Sequence, residues 1–199
     1  MESPHIHVVQ NIDTWTILLQ SHRVEGGNIS SDFSLFRKII NTGHRPSTSI
    51  LNDLLSTLRY RGHIRKALVF YNYITLKGFQ LNSDCYYILI IGLCKTGDHT
   101  QLSIPLLRRL PHDFDIYSLT DLHNSVIHRL CSDKLVNQAY ALCYEMFVRK
   151  IKPDVVTYRH LIYVHCITGQ FKQAIALFKE LEPSGDMNPS TPIPSLVTE

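Results

Sequence analysis

Residues 145–182 read EMFVRKIKPDVVTYRHLIYVHCITGQFKQAIALFKELE, and the reading of this stretch decides the fold. Tyr158, Leu161, Ile162 and His165 stand at i, i+3, i+4 and i+7, the spacing that gathers side chains on one face of a helix. Gly169 follows, a residue that can enter the left-handed conformation that stops a helix, and a second amphipathic run begins two residues later. Ala174 within that run is small enough to let two helices of a hairpin cross closely. At the start, Pro153 cannot continue a preceding helix and Asp154 is a good cap for a new one. The stretch therefore spells turn, helix, turn, helix.

Working outward, the same pattern recurs about every 35 residues. Thr48-Ser-Ile-Leu-Asn-Asp-Leu-Leu aligns with Val155-Val-Thr-Tyr-Arg-His-Leu-Ile, and both run on through a Gly, an Ala and further apolar residues at matching offsets. The units fall at 12–47, 48–82, 83–119, 120–154 and 155–190, leaving an N-terminal extension at 1–11 and a tail at 191–199 read as disordered. Their inward stripes are Trp15, Leu18, Leu19, His22; Leu51, Leu54, Leu55, Leu58; Tyr86, Leu89, Ile90, Leu93; His123, Val126, Ile127, Leu130; and the set already named. Gly26, Gly62 and Gly97 match Gly169, whereas the fourth unit has Lys134 there; Ala67 and Ala139 match Ala174. The third unit is degenerate. Pro105 falls inside its second helix, which predicts a kink or a shortened helix, and Pro111 to Ser118 read as an irregular connection. The fold class is all-α, an array of about five helix-turn-helix repeats.

Composition narrows the function classes. With 44% hydrophobic residues the chain can bury a core, and a formal charge of +3 is too mild to announce a polyanion partner. Five cysteines with no C-x-x-C, mostly inside apolar runs, predict reduced, buried thiols. The longest apolar run, around Tyr86 to Cys94, is well short of the roughly 18 residues needed to span a bilayer. No signal-peptide or transit-peptide pattern is legible in the first eleven residues, and the sequon Asn28-Ile29-Ser30 stands alone. There is no phosphate-binding glycine loop, no H-E-x-x-H and no G-x-S-x-G, so no enzyme active site and no cofactor are expected. His160, His165 and Cys166 crowd one helix. His165 and Cys166 are read as inward-facing core residues rather than metal ligands, so no metal is expected.

The segments 145–158 and 155–181, with Pro153-Asp-Val-Val-Thr-Tyr at the junction, resemble the pentatricopeptide repeat of the pure 35-residue type found in plant organellar proteins. That resemblance implies a right-handed solenoid of helical hairpins whose first helices line a groove for single-stranded RNA, about one base per repeat. It implies that the fifth residue of each repeat and the last residue before the next read the base. The pairs are Asn124 with Asp154, the family's combination for U; Asn52 with Asn82, for C or less strictly U; and Thr16 with Ser47, which leans to purines. Tyr87 with Leu119 and Arg159 with Ser190 are not decodable. Val156 stands where the family places an apolar residue to sandwich a base, and Lys95 where a lysine often meets phosphate.

Asp13, Ser49, Asp84 and Asp121 depart from that pattern, and acids beside a phosphate chain oppose binding. Arg59, Arg61, Arg65 and Lys66 are secondary phosphate contacts, or simply a solvated charged face. The resemblance implies an RNA-binding adaptor for organellar transcript processing, stability or translation, mitochondrial by expectation with the plastid as alternative, and without a deaminase-like domain. Its partners would be single-stranded RNA and other proteins of an RNA-processing complex, with no membrane and no small-molecule substrate. The alternatives are a helical protein-interaction scaffold without RNA binding, which the acids favour, and a gene fragment that keeps the fold without the function.

Overall fold

Four helices of this chain start where a short polar side chain can hold a free amide. Ser47 accepts from the Ile50 N–H at 3.4 Å at the head of the helix Thr48–Tyr60, and Asn82 accepts from the Cys85 N–H at 3.2 Å ahead of Ser83–Thr96. Asp115 accepts from the Ser118 N–H at 3.0 Å ahead of Ile116–Ser132, and Asp154 from the Thr157 N–H at 2.9 Å ahead of Val155–Ile167. Each cap satisfies one of the amides that the first turn leaves without an intrahelical partner.

The computed structural model describes residues 29–97, 99–110 and 114–181. Expectations placed on 1–28, including Trp15, Thr16 and Gly26, and on the tail lie outside the described residues. In chain order the helices are α1 (Ile29–Asn41), α2 (Thr48–Tyr60), α3 (Ile64–Leu76), α4 (Ser83–Thr96), α5 (Ser103–Arg108), α6 (Ile116–Ser132), α7 (Val136–Val148), α8 (Val155–Ile167) and α9 (Phe171–Leu181). A 3₁₀ turn, Thr100–Leu102, precedes α5. Among the described residues every regular element is helical, so the chain is all-α.

Helix ends use a common closure. After α2 the His63 N–H reaches the Leu58 carbonyl at 2.8 Å and the Gly62 N–H reaches Arg59 at 3.0 Å, with Gly62 at φ +72°. This paired bonding requires a left-handed residue, which glycine adopts without steric cost. The fourth unit makes the same closure after α6 with Lys134 at φ +59°: Leu135 N–H to Leu130 at 2.8 Å and Lys134 N–H to Cys131 at 3.0 Å. The break in the sequence pattern at Lys134 thus changes the strain, not the geometry.

The chain divides into two units, residues 1–81 and 82–199. In the first, Phe36 and Phe33 of α1 meet Phe70 of α3 edge-on at 4.8 and 5.3 Å between ring centroids, while Ile39 packs with Ile50 of α2. In the second, α4, α6 and α8 pack successively against one another, and α5, α7 and α9 each pair back on the helix before them. The stripe residues fill this interior. His123, Val126, Ile127 and Leu130 have no exposed surface, nor do Leu89, Ile90, Leu93 and Leu161, while Ala139 and Ala174 are buried where each hairpin closes. Each fully buried Leu or Ile contributes about 1.5–3 kcal/mol, so the stripes are the main cohesive force between hairpins.

Two sequence expectations are corrected. Residues 116–118, read as part of an irregular connection, are helical because Asp115 caps α6 early; Leu119 then lies inside α6, its carbonyl bonded to His123. Cys166 is exposed, not core, because it falls beside the stripe position His165 rather than on it. Cys85, Cys131 and Cys143 are buried, Cys94 is half-buried, and burial pushes all four thiols up to about 12. In the third unit α5 has six residues, with Pro105 in its first turn where no amide is lost.

Candidate functional site

The geometry is most complete around Asn124 and Asp154. Asn124 lies on α6 and is only 5% exposed, whereas Asp154 stands at the exposed N-terminus of α8. The Asn124 Nδ2 donates to Asp154 Oδ1 at 3.0 Å, and Thr157 Oγ1 donates to Asn124 Oδ1 at 2.6 Å. Thr157 is itself fully buried and accepts from the Asp154 N–H at 3.1 Å, closing a capping box. The amide of Asn124 is thereby held in one orientation. Of its four hydrogen-bonding sites, two N–H and two lone pairs, one of each kind is used within the protein.

The Asp154 carboxyl feels opposing influences. Burial pushes it up, but hydrogen bonds from the Thr157 amide, the Asn124 side chain and the Val156 amide hold it below the usual carboxylate range. Val156, in the first turn of α8, is half-buried.

The other pairs are differently placed. Asn82 caps α4 and donates from Nδ2 to Asp84 Oδ2 at 3.1 Å, while Asn52 is half-buried on α2 in the first unit. Ser47 caps α2, and its partner Thr16 lies outside the described residues. Lys95 is exposed on the last turn of α4. Ser49 and Asp84 are exposed in the first turns of α2 and α4, where the acid Asp84 suits the helix dipole; Asp121 is exposed in the second turn of α6, both acids disfavour phosphate, and Asp13 lies outside the described residues. Of the basic cluster, Arg59 places its guanidinium 4.4 Å over the Tyr60 ring, and Arg61, Arg65 and Lys66 are exposed.

Two histidine arrangements escaped the sequence reading. His160 does not join His165 and Cys166; its Nδ1 lies 3.2 Å from Nδ1 of His128 on α6. His165 turns the other way and is buried. Its Nδ1 donates to Gln170 Oε1 at 2.6 Å, which leaves Nε2 to accept from the Tyr140 hydroxyl at 2.6 Å. Nothing in the spacing of 32 residues between His128 and His160 signals contact, because it arises only when α6 and α8 stack. Among the described residues no group of three or more His, Cys, Asp or Glu side chains gathers as a metal site, and no helix is long and apolar enough to cross a membrane.

Comparison with known proteins agrees with this architecture. Models described as the PPR repeat family and the PPR repeat match residues 122–166 and 156–182. A pentatricopeptide repeat-containing protein of Arabidopsis thaliana is 29% identical over 173 residues, covering 85% of this chain and 33% of the relative. Another from the same plant, named as mitochondrial, is 33% identical over 78 residues, covering 39% of this chain and 16% of the relative. The chain thus spans a third or less of the length of these relatives. Among solved structures, the maize pentatricopeptide repeat protein PPR10 superposes with a TM-score of 0.66 at 17% identity, over 86% of this chain and 24% of that one. Its complex with an 18-nt psaJ RNA element gives 0.56 at 20% identity, over 84% and 24%. These likenesses show a shared fold of stacked helical hairpins.

Proposed function

We propose that this chain, a pentatricopeptide-repeat protein, is an adaptor that binds single-stranded RNA at about one base per repeat and serves organellar transcript processing, stability or translation. The observation that carries the reading is the fixed amide of Asn124. One Nδ2 proton and one Oδ1 lone pair remain after Asp154 and Thr157 take their share. A uracil edge offers an N3–H donor beside carbonyl acceptors, which complements that remaining pair. PPR10, whose fold this chain shares, has been solved with an RNA element, which supports the same class of ligand here. The mitochondrial name of one relative supports an organellar setting, the mitochondrion first. The repeat boundaries at 48, 83, 120 and 155 and the pure 35-residue subtype belong to this reading. The chain binds and positions; it carries no catalytic step of its own.

The test is fluorescence anisotropy with a labelled single-stranded RNA carrying purine-C-N-U-N between adenines, against a scrambled control. Preference for the designed site, and a shift of the fourth base from U towards G in Asn124→Thr, is the expected result. Absence of binding above background at low salt overturns it. The second reading is a protein-interaction scaffold, favoured by the exposed acids Asp84 and Asp121. On that reading the variants leave RNA affinity unchanged because there is none to lose.

A further inference from the structure

We propose that His128 and His160 form a two-imidazole site for a divalent transition-metal ion of the zinc, nickel or copper kind, bridging α6 and α8. The two Nδ1 atoms lie 3.2 Å apart with ring centroids at 4.5 Å and planes inclined by 45°. Two nitrogens bound tetrahedrally at zinc distances of about 2.0–2.1 Å are separated by about 3.3 Å, so the pair already stands at ligand spacing. Imidazole nitrogen suits zinc, nickel and copper, and the site lies open enough for water to complete the coordination: His128 is exposed and His160 half-buried. Water must do so, since no group of three or more such side chains gathers among the described residues.

Without an ion, one Nδ1–H donates to the other Nδ1. Binding requires that ring to carry its proton on Nε2 instead, so that both Nδ1 lone pairs face the ion and no net proton is released from two neutral rings. Arg159 is next to His160 in the chain and its charge weighs against a cation here, so the site is expected to be of modest affinity. Because its ligands come from two stacked helices, an ion clamps neighbouring hairpins together. This inference is independent of the RNA reading.

The experiment is calorimetric titration of zinc chloride and nickel chloride into the full chain without a polyhistidine tag, with thermal melts in parallel. Wild type is compared with His128→Asn, His160→Asn, the double variant and, because His5 and His7 are a competing pair in sequence, His5→Asn/His7→Asn. Circular dichroism checks folding, and His160→Gln replaces any variant that loses helix. The expected result is one saturable ion, at least tenfold weaker in each single variant, with a rise in Tm on saturation that disappears in the double variant but survives in His5→Asn/His7→Asn. Unchanged affinity in the double variant, or no saturable uptake by wild type, overturns the proposal and leaves the contact as a hydrogen-bonded pair alone.

Discussion

Replacing Asp154 separates its two duties. In Asp154→Ala the Thr157 amide loses its cap, which costs about 1 kcal/mol, within a range of roughly 0.5–2. The Asn124 Nδ2, on a side chain that is 5% exposed, loses an acceptor at 3.0 Å, adding about 1 kcal/mol. The bond from the Asp154 N–H to Thr157 Oγ1 involves no side-chain atom of residue 154 and survives. The sum is about 2 kcal/mol, or about 4–8 °C in Tm for a chain of this length. In Asp154→Asn the amide oxygen still accepts from both donors, and Asn caps as well as Asp, so the cost is expected to stay below about 0.5 kcal/mol. Urea unfolding followed by helical circular dichroism measures both. The same two proteins are then taken to RNA, where Asp154→Asn should move the preferred fourth base from U to C with little loss of stability. If Asp154→Ala unfolds with the wild-type midpoint, the carboxylate is not holding the start of α8 or the Asn124 amide. If Asp154→Asn falls as far as Asp154→Ala, charge rather than hydrogen bonding is responsible, and the fixed-amide argument for base reading fails with it.

Two more outcomes are expected. Lys134→Gly relieves the left-handed strain at φ +59° after α6 and should stabilise the chain by about 0.5–1 kcal/mol in the same urea assay, while the equivalent exchange away from a positive φ would not. His123 gives a pH effect: its Nδ1–H donates to the Leu119 carbonyl at 2.6 Å, and its buried Nε2 has no hydrogen-bond partner. Burial lowers its pKa most; the Leu119 bond raises it, Arg149 lowers it and Glu145 raises it, with a net shift downward. The unfolded chain then takes up a proton that the folded chain refuses, so stability is lost as pH falls below the unfolded value of about 6.5 towards the folded one. His123→Leu should flatten that acid limb, measured as unfolding midpoint between pH 7 and 5.

What could be read from the residues, and what could not, divides by range. The stripe positions, the glycine stops and the small Ala67, Ala139 and Ala174 are local in origin, and the helical period exposes them directly. Asp115 and Ser118 have the spacing of a cap, but a repeat read as ending at Leu119 hides it. Cys166 shows how fine the register is: one residue along a helix rotates a side chain by about 100° and takes it from core to solvent. Thr157 as a clamp on Asn124, and the Tyr140–His165–Gln170 chain, depend on which helix packs on which. No spacing rule within one repeat carries that information.

Ser47, Asn82 and Asp154 each cap the helix that follows, and on the proposed reading they are also the last residues of the first, second and fourth repeats. A position that must cap is in practice limited to a few residue types, and these three are among them. Asn codons are one nucleotide from those of Asp and from two of Ser. A lineage can therefore exchange one for another in single mutational steps, each of which leaves the next helix started. If these positions also read bases, as proposed, a change in what one of them recognises is uncoupled from whether the protein folds, and the array can be retargeted one repeat at a time.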